Sequence, residues 1–85
     1  MSEYQITFAR SARKELESLD RDTLNRIWRK IVGLAKVPRP AGCRKLRGEV
    51  GLWRVRVGDH RVIYTIDDDS KLVDVVGIRH RSVAY

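Results

Sequence analysis

Between Leu52 and Ile66 two runs rich in β-branched and aromatic residues, Leu52-Trp53-Arg54-Val55-Arg56-Val57 and His60-Arg61-Val62-Ile63-Tyr64-Thr65-Ile66, flank the pair Gly58-Asp59. Two alternating runs separated by two turn-forming residues predict a tight β-hairpin. Glycine at the first turn position supplies the positive φ that a type II′ turn requires. That turn sets the register: Val57 faces His60, Arg56 faces Arg61, Val55 faces Val62, Arg54 faces Ile63 and Trp53 faces Tyr64. Because side chains alternate between faces along a strand, Trp53, Val55, Val57, Val62 and Tyr64 share one face, and Arg54, Arg56 and Arg61 share the other.

Elsewhere the period changes. Tyr4, Ile6 and Phe8 alternate with polar residues and predict a short strand. Ala12, Leu16 and Leu19 give a weak helical stripe between Ala9 and Leu19, broken at Asp20 to Asp22. Leu24, Ile27, Trp28, Ile31, Leu34 and Ala35 then recur at helical spacing, with Asp20 or Asp22 able to cap the start and Pro38 closing the end. With so few residues between them the two helices should form an antiparallel hairpin, its apolar stripes covering the Trp53/Val55/Tyr64 face. Val37 to Val50 reads as a basic, Pro/Gly-bearing connector. Lys71-Leu72-Val73-Asp74-Val75-Val76-Gly77-Ile78 is nearly continuous in apolar residues, the pattern of a strand buried on both faces. The predicted fold is α+β: a small antiparallel sheet with an N-terminal helical hairpin on one face, in the order β-α-α-β-β-β, and at 85 residues a single domain over 1–85.

Charge changes the picture of the other face. Eighteen Lys and Arg against eleven Asp and Glu leave a net charge of +7, and a pI near 10.2 makes a polyanion the expected partner, nucleic acid first. No long apolar segment or basic amphipathic helix argues for a membrane, and a single cysteine excludes a disulfide framework, so a cytoplasmic location is expected. Cys43, in the connector with no histidine near it in sequence, reads as inert. Asp67-Asp68-Asp69 could suggest a metal; neighbouring carboxylates in a hairpin point apart, and a solvated turn is the expected role, with neither metal nor cofactor.

Arg56 directly opposite Arg61 is a like-charge pair that packing does not explain, and local rule-breaking of this kind tends to mark function. If the last strand pairs beside the second hairpin strand, Val75, Gly77 and Arg79 share a parity, and Arg79 joins Arg54, Arg56 and Arg61, with His80 and Tyr85 at the edge. Gly77 would leave room for a ligand backbone. Guanidinium carries a rigid donor fork matched to phosphate. Such a surface suits a solvated face, a nucleic-acid-binding face or a catalytic phosphate site. His60 reads as a surface residue near the turn, His80 as structural or proton-carrying, and Tyr85 as a packing anchor or a stacking and proton-transfer group.

Lys45-Leu46-Arg47-Gly48, the Gly51–Tyr64 stretch with its R-x-R-x-G-D-x-R-x-x-Y pattern, the acidic turn and the Gly77–Tyr85 stretch together resemble the RelE branch of the RelE/ParE toxin superfamily. The resemblance covers almost the whole chain. It implies a microbial RNase fold and the toxin of a type II toxin–antitoxin pair, an mRNA interferase that cuts messenger RNA in the ribosomal A site. There the 2′-hydroxyl attacks the adjacent phosphate, leaving a 2′,3′-cyclic phosphate and a 5′-hydroxyl. By position Arg61 and Arg79 would stabilise phosphate charge and Tyr85 would stack on or orient the cleaved nucleotide; Lys45, Arg47 and Arg81 would add RNA contacts. Arg54 and Arg56 stand where the best-known members have lysines. Arginine is no ready general base, which leaves that role to His80 or Tyr85, or leaves catalysis to electrostatics and positioning. The implied partners are an acidic antitoxin in a hetero-oligomeric complex, the ribosome and its messenger RNA. The ParE branch, gyrase inhibitors without RNase chemistry, shares the fold and is the alternative.

Overall fold

The structure, a computed structural model, describes residues 3–46, 48 and 51–82. Seven elements follow in order: β1 (Gln5–Phe8), α1 (Arg10–Glu17), α2 (Arg21–Leu34), β2 (Arg44–Lys45), β3 (Leu52–Val57), β4 (His60–Asp67) and β5 (Leu72–His80). They build one five-stranded sheet in the order β1-β5-β4-β3-β2. The sheet is mixed and not purely antiparallel, because β1 returns through the helical hairpin, the connector and the β3–β4 hairpin to lie parallel to β5. A fifth strand, β2, forms inside the connector, where Arg44 and Lys45 pair with Arg54 and Trp53.

The β3–β4 hairpin has the register set by its turn, from Val57↔His60 through Arg56↔Arg61 and Val55↔Val62 to Trp53↔Tyr64. Gly58 sits at φ +59, while Lys71 is the only non-glycine with positive φ among the described residues, so of the two turn residues glycine alone carries the left-handed conformation.

Asp20 caps α2 by accepting from the Thr23 backbone N–H at 3.3 Å, and the helix stops at Leu34, short of Pro38. Its Ile27, Ile31 and Leu34, with Ala12 and Leu16 of α1, pack on Val55, Val62, Tyr64, Val73, Val75 and Ile78. Trp28 is the exception in the helical stripe. It is 48% exposed and stacks on Phe8 with centroids 5.9 Å apart, because neighbours 100° apart on a helix cannot both point into a narrow core.

β5 departs from strict alternation. Opposite Ile63 stands Gly77 and opposite Tyr64 stands Val75, leaving Val76 as an extra residue, a β-bulge. Instead of a strand buried on both faces, β5 turns Val73, Val75 and Ile78 into the helix-packed core. Val75 therefore does not share a face with Gly77 and Arg79, contrary to the parity read from sequence. Without the bulge Arg79 would follow Val75 towards the helices.

β1 ends opposite Val75, and α1 takes over its place at the sheet edge. Ser11, one turn before Glu15, donates its hydroxyl to the Val76 carbonyl at 3.2 Å, and the Glu15 carboxylate accepts the Ile78 N–H at 3.0 Å. Two backbone groups that the missing strand would have paired are thereby satisfied. On the far side the connector is pinned: the buried Tyr64 hydroxyl donates to the Pro38 carbonyl at 2.9 Å. Arg39 and Lys45 lie over the Trp53 ring, 5.1 and 5.5 Å from its centroid.

Candidate functional site

Arg56, Arg61 and Arg79 stand in register across β3, β4 and β5. A second row, Arg44, Arg54, Ile63 and Gly77, runs beside it across β2 to β5. The four arginines singled out from sequence thus share the face turned away from the helices, and Arg44 joins them. Connector length gave no register for Arg44, which becomes visible only once β2 forms.

Exposure along this face falls from the β2/β3 edge towards β5 among the described residues. Arg44 and Arg56, towards the β2/β3 edge, are exposed; Arg54, Arg61 and Arg79 are half-buried, and Ile63 is fully buried although it lies outside the helix-packed core. The buried Nε of Arg61 has no hydrogen-bond partner among the described residues. A buried unpaired donor on a cation costs free energy in the unliganded protein and recovers it when an acceptor arrives. Arg79 is held differently. Its guanidinium forms an ion pair with Glu15 of α1 and lies over Gly77, where any Cβ would come within 3.0 Å of Nη1. The space beside Gly77 is thus taken by the Arg79 guanidinium, where sequence suggested room for a ligand backbone. Glu15 was not singled out from sequence, where it is one more charge on a charged helix.

Both histidines of the chain lie on the opposite face. His60 pairs with His80, their rings meet edge to face at 5.1 Å, and both line a small cavity of about 100 Å³ with Thr23, Arg26 and Ile27 of α2. Nδ1 of His80 lies 2.8 Å from the Ser82 hydroxyl and accepts the Ser82 N–H at 3.2 Å. His80 therefore does not stand at the edge of the arginine face, since it directly follows Arg79 and alternation turns it with Ile78 to the helix side. Arg81 is tied to the hairpin tip, its N–H donating to the Asp59 carbonyl at 2.7 Å and its Nε 3.8 Å from the Asp59 carboxylate. Lys45 is beside Trp53 on the helix side, Arg44 taking the arginine-face place. Arg47 and Tyr85 lie outside the described residues.

The acidic turn is structural. Asp67 accepts the Asp69 and Ser70 N–H groups, and Asp68 takes a bidentate hydrogen bond from Arg39 at 3.2 and 2.9 Å and one from the Tyr4 hydroxyl at 2.6 Å. The Arg39 fork and then Tyr4 hold the Asp68 carboxyl down to about 2. Among the described residues no cluster of His, Cys, Asp and Glu could hold a metal ion, and no described helix is long and apolar enough to cross a membrane.

The family model for the ParE toxin of the type II toxin–antitoxin system parDE matches residues 6–85. The chain belongs to this family, within the RelE/ParE superfamily. It is 31% identical over 84 residues to the toxin RelE of Mycobacterium tuberculosis, spanning 96% of this chain and 86% of that one. With the toxin RelG of the same organism it shares 29% over 83 residues, 96% of this chain and 95% of the relative. Among solved structures, the toxin–antitoxin complex RelBE2 of M. tuberculosis superposes with TM-score 0.84 at 29% identity, covering 98% of this chain and 97% of the other. The archaeal RelE–RelB complex of Pyrococcus horikoshii gives 0.83 at 28%, covering 99% and 100%. The protein is a type II toxin–antitoxin toxin, and the α+β fold read from its sequence is the fold of these RelE structures.

Proposed function

We propose that this toxin is a ribosome-dependent messenger RNA endoribonuclease, acting in the cytoplasm, and that the row Arg56, Arg61 and Arg79 receives the scissile phosphate. The observation that carries the reading is Arg61: a half-buried guanidinium with a like charge on either side and a buried Nε that waits for an acceptor. In the reaction the O2′–P bond forms as the P–O5′ bond breaks, giving a 2′,3′-cyclic phosphate and a 5′-hydroxyl. The 2′ proton leaves and the departing 5′ oxygen gains one. Negative charge grows on the phosphate oxygens throughout, and preorganised guanidinium groups stabilise it where water is partly excluded. Tyr85 is assigned, by resemblance, to orient the cleaved nucleotide. His80, on the helix side, is not in that row, so the chemistry rests on electrostatics and positioning with Tyr85 as the remaining candidate for proton transfer.

The partner that restrains such a toxin is an antitoxin, as in the toxin–antitoxin complexes among its structural relatives, and the net charge of +7 calls for an acidic, amphipathic segment. Charge complementarity makes that association fast and salt-sensitive. The test of the enzymatic reading is to induce the toxin alone and with its antitoxin and to map messenger RNA 5′ ends. Cleavage that appears within translated frames, and only without antitoxin, supports it.

A ParE-like gyrase inhibitor is the second reading, favoured by two observations: both histidines point away from the arginine face, and Arg79 is already engaged by Glu15. Intact messenger RNA with stalled gyrase decides for it.

A further inference from the structure

Arg26, Arg29 and Lys30 of α2 meet Arg56 and Val57 of β3 around an open groove of about 460 Å³. Spacing i, i+3, i+4 places the three helix cations on one face, and like charges so placed destabilise a helix. Among the described residues none of these four cations has an ion-pair partner. The Arg26 guanidinium packs against the hairpin turn, where a Cβ on Gly58 would come within 2.9 Å of it. β2 pairs with Trp53 and Arg54, and among the described residues no strand continues along β3 to Arg56 and Val57 on that side. Arg56 belongs to both surfaces, standing in the arginine row and lining this groove.

From this we infer that the α2/β3 groove is a second phosphate-binding site, which grips the ribose–phosphate backbone of RNA as the strand leaves the arginine row around the β3 edge. The inference rests on the ribonuclease reading for the choice of RNA. Within the groove the lining is cationic, with Val57 its one apolar residue, whereas an amphipathic protein helix needs a row of apolar anchors. Such anchors lie elsewhere, in the groove between α1 and α2 lined by Phe8, Leu16, Leu24 and Trp28. Phosphate contacts of this kind fix register and carry no base preference.

The test measures binding of a fluorescein-labelled single-stranded RNA to the whole toxin over a salt series, for wild type and for Arg29→Gln/Lys30→Gln, which removes charge while keeping good helix formers. The expected result is a slope of log affinity against log salt that is shallower by about 1.4, about 0.7 for each phosphate of a single strand that the variant no longer neutralises. The loss should be equal across RNA sequences, with a thermal melt no lower than that of wild type, since the change also relieves like-charge repulsion along α2. Wild-type slope in the variant overturns the proposal. A loss seen for an acidic helical peptide and not for RNA also overturns it, and assigns the groove to a protein. Should the paired change unfold α2, the exposed Arg29→Gln alone carries the same reading at half the slope change. Cleavage is scored separately on programmed ribosomes: a wild type that shows this slope dependence without cutting retains the groove and loses the nuclease, and one that cuts with no slope change in the variant does the reverse.

Discussion

Glu15 reaches from α1 to the end of β5, where one carboxylate oxygen accepts the Ile78 N–H and the other pairs with the Arg79 guanidinium. One side chain therefore closes a sheet edge and fixes the attitude of an arginine in the candidate site. The two tasks separate by mutation. Glu15→Ala leaves the N–H of a buried residue without a partner, at a cost of about 1–2 kcal/mol in a urea melt. Glu15→Gln keeps an acceptor for that N–H and loses only a half-exposed ion pair, so it should cost under about 1 kcal/mol. If both variants lose equal stability, the edge-closing role is wrong.

Arg61 carries the opposite bias, towards function at the expense of stability. Arg61→Leu removes a buried unpaired donor and the repulsion of Arg56 and Arg79, so the variant should be more stable by about 1 kcal/mol. Cleavage on ribosomes should fall by on the order of 10² to 10³, the usual loss for one preorganised donor. Arg61→Lys separates charge from the guanidinium fork: partial recovery points to charge alone, no recovery to two-pronged binding. A Leu variant that still arrests growth removes Arg61 from the site.

How far these residues could be read from sequence depends on the range of the signal. The β3–β4 register followed from Gly58-Asp59, because a two-residue turn leaves no freedom in pairing. Arg54, Arg56 and Arg61 came with it. His80, directly after Arg79, alternates to the other side, and Arg79 itself was placed on the right face by a parity that the Val76 bulge in fact breaks. Gly77 beside it was a cue to a bulge, but one glycine does not say which neighbour is the extra residue. β1 was legible as a strand and its partner was not, since alternation reports a buried face and carries nothing about what lies alongside. Arg44 and Glu15 acquire their places from strand and helix neighbours distant in sequence, which no local pattern encodes.

Trp28 and Ile27 test how far a helical stripe predicts burial. Ile27 has no exposed surface, and Trp28 is half exposed against Phe8. Ile27→Ala should cost about 2–5 kcal/mol, as large-to-small changes in a packed core do, and Trp28→Ala, which would cost about 3–5 in a core, should cost no more than about 2. Chemical denaturation of the two variants gives the order. A larger loss at Trp28 would place the indole in the core.

Asp68 makes stability depend on pH in a known direction. The Arg39 fork and the Tyr4 hydroxyl hold its carboxyl at about 2 in the folded protein against an ordinary 3.8. A carboxyl lowered by folding contributes stability that is complete above its unfolded value and is lost as pH falls through its folded one. Asp68→Asn keeps the shape of the turn and drops the charge, so at pH 7 it should melt below wild type. That gap should narrow as pH is lowered from about 4 to about 2, where the wild-type carboxyl is itself half protonated. The curve of the variant should not be flat, because Asp20, lowered by its hydrogen bonds from Thr23, and Asp67, lowered first by the Ser70 N–H, titrate in the same direction. Added salt at pH 7 should also narrow the gap, since the pair is exposed. A gap that stays constant from pH 7 to pH 2 would show that asparagine fails there for its shape, and that the Arg39–Asp68–Tyr4 cluster holds the connector by hydrogen-bond geometry without a contribution from charge.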